Sequence, residues 1–181
     1  MALVPSALQS AMRIAIEVSW NSLTPDSDQI GIVEPFLYPL QRLFCEQVAA
    51  TYDSWMQGAT LTRGDLAATT LGPSALAVAL RAPQFRGWSA AFTAYVLSIV
   101  WVPGASVFLS SGGGSSANIL AKAAALQVGL DSLIFAIPGQ FPSRREFADK
   151  IGELLSTYTI GTTITAVKKQ TPPPTIEAPI S

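Results

Sequence analysis

Gly87-Trp-Ser-Ala-Ala-Phe-Thr-Ala-Tyr-Val-Leu-Ser-Ile-Val-Trp-Val-Pro-Gly-Ala-Ser-Val-Phe-Leu-Ser-Ser-Gly-Gly-Gly-Ser-Ser-Ala-Asn-Ile-Leu-Ala121 contains no charged side chain. A run of this length and aromatic content has to be hidden from water by a bilayer, a protein core or neighbouring subunits. Residues 88–109 are long enough to cross hydrocarbon, which makes insertion through them the alternative reading of the chain. Against it, Pro103-Gly104 breaks the segment, Ser89, Thr93, Ser98 and Ser106 dilute its apolarity, and only Arg81 and Arg86 flank it. The spacing of Trp88, Phe92, Tyr95, Val96 and Ile99 predicts a buried helix over about 87–101 instead. The adjoining residues 103–118 are Ser/Gly-rich and loop-like. Loops run over the surface, and an uncharged surface loop fits the centre of a subunit contact. Trp101, Val107 and Phe108 are therefore candidate contact residues.

Working outward, residues 6–23 place Leu8, Met12, Ala15, Ser19 and Leu23 on one helical stripe. A second helix over 36–55 carries Phe36, Leu40, Leu43, Phe44, Val48, Tyr52 and Trp55 at three- and four-residue steps. Residues 59–72 read as irregular, and a short helix begins after Gly72-Pro73. Val107–Leu109 is a candidate short strand, Gly112-Gly113-Gly114 a hinge, and Ser115 or Ser116 the cap of a helix running to about Gln127. Leu133–Ile137 reads as a buried strand. Ser143-Arg-Arg-Glu146 is a capping box opening a helix with Phe147, Ile151, Leu154, Leu155 and Tyr158 in register. Thr159–Val167 alternates β-branched residues as a strand does. The expected fold is mainly α with a few short β-strands. One helical domain covers 1–168, and an extended Pro-rich C-terminal arm covers 169–181. Pro172, Pro173, Pro174, Ile176 and Ile180 of that arm are expected to reach onto a neighbour.

Pro5-Ser6-Ala7-Leu8 recurs as Pro73-Ser74-Ala75-Leu76, and at the same offset Ala11, Arg13 and Trp20 match Ala79, Arg81 and Trp88. The match ends there, and sequence alone assigns it to coincidence in an Ala-rich chain.

Charged residues make up 13% of the 181, against about 25% in ordinary soluble domains, and the net charge is −1. So little charge suits a surface covered by other protein. Arg144-Arg145 and Lys168-Lys169 are pairs rather than a basic stripe, so no sequence-specific nucleic-acid binding is expected. The chain has one cysteine, Cys45, and no histidine. A Cys-based zinc site, an intramolecular disulfide and a histidine-activated nucleophile are thereby excluded. The Ser residues at 110–116 have no activating partner, and Lys122 comes too late after Gly112–Gly114 for a phosphate loop. Asp149 and Glu153 share a helical face as exposed charges, and Asp26/Asp28 lack the glycine and glutamate of a calcium loop. No catalytic residue, metal or cofactor is expected. The N-terminal residues lack the basic and apolar regions of a signal peptide, so the chain is expected to be made and used in a cytosol.

Leu40-Gln-Arg-Leu-Phe-Cys-Glu-Gln-Val-Ala49, and Leu154-Leu-Ser-Thr-Tyr-Thr159 leading into Thr162-Thr-Ile-Thr165, resemble small Ala-rich structural proteins from the neck, tail and baseplate genes of tailed bacteriophages. The two stretches cover under a fifth of the chain. The resemblance implies a non-enzymatic virion component, assembled in the host cytoplasm. It would be present in several copies and would contact itself and other virion structural proteins.

Overall fold

The computed structural model describes residues 3–19, 42–61, 66–82, 85–103, 109–112, 118–134, 144–168 and 175–181. Among these the elements alternate two by two: α1 (Pro5–Ser19), α2 (Arg42–Met56), β1 (Thr60–Leu61), β2 (Leu66–Thr69), α3 (Ser74–Ala79), α4 (Trp88–Ser98), β3 (Val100–Pro103), β4 (Leu109–Gly112), α5 (Ile119–Ile134), α6 (Arg144–Thr159), β5 (Thr163–Lys168) and β6 (Thr175–Pro179). Among the described residues the chain is mainly helical, with six helices and six short antiparallel strands.

The strands form a meander in chain order, and the meander closes on itself. Leu61 of β1 bridges Ile180 just beyond β6, while Thr60 and Ser181 exchange backbone hydrogen bonds of 2.9 Å each way. A closed sheet has no free edge, and its interior must be filled by side chains. Leu61, Trp101, Ile164, Ala178 and Ile180 fill it, at 2% exposure or less.

The helices close a ring as well, each packing on the next and α6 on α1. α1 meets α6 closely at Gly152, where an added Cβ would lie 2.8 Å from the Gln9 Cα. Helix α6 ends at Thr159 and the chain turns at Gly161, whose φ of 76° suits glycine. Its N–H donates to the Ile180 carbonyl, which ties the helix end to the barrel.

Several expectations are corrected. The helix expected over 87–101 ends at Ser98 and gives way to β3, because Val100–Pro103 pairs with β2 across four register positions. Within 59–72, expected to be irregular, Thr60–Leu61 and Leu66–Thr69 supply β1 and β2, and 62–65 lie outside the described residues. Leu133 is the penultimate residue of α5 rather than the start of a strand, and 135–137 lie outside the described residues. The C-terminal arm is corrected for 175–181. It forms β6, paired with β5 through five positions and closing the barrel of its own chain. Pro179 fits there because it faces Thr163 without donating, while its neighbour Ile180 donates to Thr162 O at 2.9 Å. Residues 88–109 do not form one helix, and among the described residues no helix is long and apolar enough to cross a membrane.

Candidate assembly surface

The uncharged stretch divides into an inner and an outer part. Trp88, Phe92, Tyr95 and Val96 are buried on α4. Trp88 stacks on Phe44, meets Phe85 edge-on at 4.6 Å between ring centroids, and donates from Nε1 to the Leu80 carbonyl at 2.8 Å. β3 then alternates as a strand must. Trp101 points inward, and Val100 and Val102 point outward at 52% and 40% exposure. They lie opposite Thr69 and Ala67 of β2, both exposed, and Leu71 just beyond β2 is 77% exposed. Ala67, Thr69, Leu71, Val100 and Val102 thus make an uncharged strip on the outer face of the barrel.

The same scaffold shows what that face holds elsewhere. Six residues after the buried Tyr95 comes the inward Trp101, and six after the buried Tyr158 comes the inward Ile164. The outward flanks of Trp101 are Val100 and Val102, whereas those of Ile164 are Thr163 and Thr165. Thr163 Oγ1 donates to Asn118, and Thr165 Oγ1 donates to Glu177 on β6 at 3.1 Å. Threonine, isosteric with valine, serves the barrel at these positions, so the fold itself does not require valine on β3.

Of the residues singled out from sequence, Trp101 and Ile180 lie inside the barrel of their own chain, and Ile176 is half-buried on the same inward row. Among the described residues the Trp101 Nε1 finds no hydrogen-bond partner. Val107, Phe108, Pro172, Pro173 and Pro174 lie outside the described residues. Sequence reasoning missed the outward pair Val100 and Val102. The Val-Trp-Val alternation could have revealed it, but it was absorbed into the expected helix.

Several ionisable groups have structural partners. Asp149 takes a two-pronged ion pair from Arg13, with the Nη2 arm at 2.8 Å, and Glu153 pairs with Lys150 at 3.0 Å. That guanidinium holds the Asp149 carboxyl below the usual carboxylate range. Lys122 spends its ammonium on the carbonyls of Thr157 (2.9 Å), Tyr158 (3.2 Å) and Ile160, covering the C-terminus of α6, and burial lowers its pKa. Burial pushes the Cys45 thiol up to about 12, leaving no thiolate at neutral pH. Among the described residues no group of acidic or cysteine side chains is placed to hold a metal ion. An open groove of about 640 Å³ between α1, α5 and α6, bordered by Gln9, Lys122, Leu126 and Glu153, brings these same engaged groups to its wall.

No protein-family model matches this chain, and no curated protein or solved structure was found to match it.

Proposed function

We propose that this protein is a non-enzymatic structural subunit of a multi-copy assembly, of the kind that builds the neck, tail or baseplate of a tailed-phage virion. One observation carries the assembly reading: the outward pair Val100 and Val102 on a barrel whose matching outward positions on β5 are threonines. Exposed β-branched apolar residues on a strip that carries no charge among the described residues are what the centre of a protein contact needs. The 13% charge content supports the same reading, and the likeness of Leu40–Ala49 and Leu154–Thr165 to tailed-phage structural proteins supports the virion setting.

The test is light scattering behind size exclusion, without detergent, on the wild type and on the Val100→Thr/Val102→Thr variant. This variant writes the β5 residues into β3. The expected result is a discrete wild-type multimer that the variant disperses, with unchanged far-UV circular dichroism. A wild-type chain that stays monomeric, or a variant that assembles as the wild type does, would overturn the assignment of the contact to this strip.

A further inference from the structure

Among the described residues the order helix, helix, strand, strand occurs three times. Its second helices, α2, α4 and α6, share a tyrosine and three buried positions when counted from Tyr52, Tyr95 and Tyr158. Seven residues earlier stand Cys45, Trp88 and Ile151. Three residues earlier stand Ala49, Phe92 and Leu155. One residue later stand Asp53, Val96 and Thr159. All twelve positions are buried. The duplicated Pro-Ser-Ala-Leu opens the first helices of the first two sets, with Pro5 as the first residue of α1 and Pro73 as the N-cap of α3, while the Trp20/Trp88 part of the echo does not follow the units, since Trp88 lies on α4.

The three tyrosine hydroxyls bind in one rotational sense. Tyr52 reaches Thr159 Oγ1 on α6 at 2.5 Å, Tyr158 reaches Thr93 Oγ1 on α4 at 3.0 Å, and Tyr95 reaches Asp53 Oδ1 on α2 at 2.6 Å. Each tyrosine is the donor. Thr159 and Thr93 already spend their hydroxyl protons on the carbonyls four residues back, Leu155 O and Ser89 O, and the carboxylate of Asp53 only accepts. Burial raises the pKa of all three phenols, Tyr158 to about 12, so the protons stay on. The first set donates to the third, the third to the second and the second to the first. Two of the three acceptors, Asp53 and Thr159, sit one residue after their own tyrosine. In the second set that position holds Val96, which cannot accept, and Thr93 on the same helix takes its place.

We infer that the molecule is a single-chain trimer: three equivalent α-α-β-β units around one approximate threefold axis, locked there by a one-way ring of tyrosine hydrogen bonds. A closed ring with one sense of donation is a property of a rotation axis, as in cyclic oligomers, and three unrelated helix contacts have no reason to produce it. The inference is independent of what the β2/β3 strip contacts.

Equivalence makes a substitution prediction that ordinary packing does not. If Val96 occupies an acceptor position, a hydroxyl there will serve Tyr158. Thr93→Ala alone leaves the Tyr158 hydroxyl unpaired and lowers Tm by about 2–8 °C. Adding Val96→Thr is expected to restore at least half of that loss, although Val96→Thr in the wild type, where Thr93 already accepts, brings no such gain. In a Tyr158→Phe background the rescue must vanish. The acceptors are also expected to interchange, so that Asp53→Thr costs less than half of what Asp53→Ala costs. This second pair keeps the test readable should Thr93→Ala fail to fold. Absence of rescue, or rescue that persists without the Tyr158 hydroxyl, overturns the inference, as does an Asp53→Thr variant no better than Asp53→Ala.

Discussion

Ile180 separates a chain end that closes its own barrel from an arm that grips a neighbour. Its side chain is 1% exposed, and its backbone accepts from Gly161 N at 3.0 Å and donates to Thr162 O at 2.9 Å. Replacing a buried isoleucine by alanine costs about 2–5 kcal/mol, the lost transfer energy plus the cavity left behind. At about 2–4 °C per kcal/mol for a chain of this size, Ile180→Ala should lower Tm by roughly 4–20 °C. Deleting Ile180 and Ser181 also removes the paired hydrogen bonds between Thr60 and Ser181, each worth about 0.5–1.5 kcal/mol net, so the deletion must cost more than the substitution. The assay is thermal or urea unfolding monitored by far-UV circular dichroism, at several protein concentrations. A loss of stability independent of concentration is expected, because the contact is made within one chain. A variant with wild-type monomer stability but impaired assembly would refute the closed barrel and restore the arm in trans.

Two further pairs of substitutions read the packing directly. Gly152→Ala places a Cβ 2.8 Å from backbone of α1, whereas Gly129→Ala meets only the movable Leu154 side chain, its nearest atom being Cδ2. Both gain about 1 kcal/mol of helix propensity, but overpacking against fixed backbone costs about 1–3 kcal/mol, so Gly152→Ala should be the less stable protein by urea midpoint, and the reverse order would contradict the α1/α6 approach. Trp88→Phe breaks the bond to Leu80 O, while Trp101→Phe removes a donor with no partner among the described residues. Trp88→Phe should therefore cost more by about 1–3 kcal/mol in denaturant unfolding, and equal costs would show that the Trp101 N–H is satisfied.

The sequence made the long helices legible because their burial follows a period that a single chain displays locally. Phe44, Val48 and Tyr52 on α2, Leu8, Met12 and Ile16 on α1, and Phe147, Ile151, Leu155 and Tyr158 on α6 are all core residues. The barrel was not legible in the same way. β1 has two residues and β2, β3 and β4 four each, too few for an alternation to stand out. Val100-Trp101-Val102 continues an apolar helix pattern as readily as it starts a strand. Non-local pairing with β2 decides between them, and no local propensity contains that pairing. β6 was hidden by its flanking prolines, which exclude a central ladder only where the missing N–H would have been needed. Leu43, placed on the α2 stripe by its spacing, is exposed because it sits at the margin of a stripe whose centre runs through Phe44, Val48 and Tyr52. The outward strip went unread for the reason that hid β3, since the alternation that exposes Val100 and Val102 exists only once the segment is a strand.

Around the tyrosines the buried positions of the three units agree, whereas the outward positions of β3 and β5 differ. The tyrosines, the residues three and seven before them, and the inward residues of β3 and β5 are constrained by a shared axis and a filled interior, where changes of volume cost several kcal/mol. The outward positions carry no such constraint, since either valine or threonine suits a strand exposed to water. Thr163 and Thr165 keep that face polar and bonded, while Val100 and Val102 leave apolar surface in solvent at a cost that the barrel does not need to bear. A scaffold that repeats three times supplies its own reference for what a neutral surface looks like. Measured against β5, the β2/β3 strip exposes apolar side chains that the barrel does not need, as Ile14, Val18, Leu120 and Val128 do on the helices, and a contact over that strip is what the proposed assembly would supply.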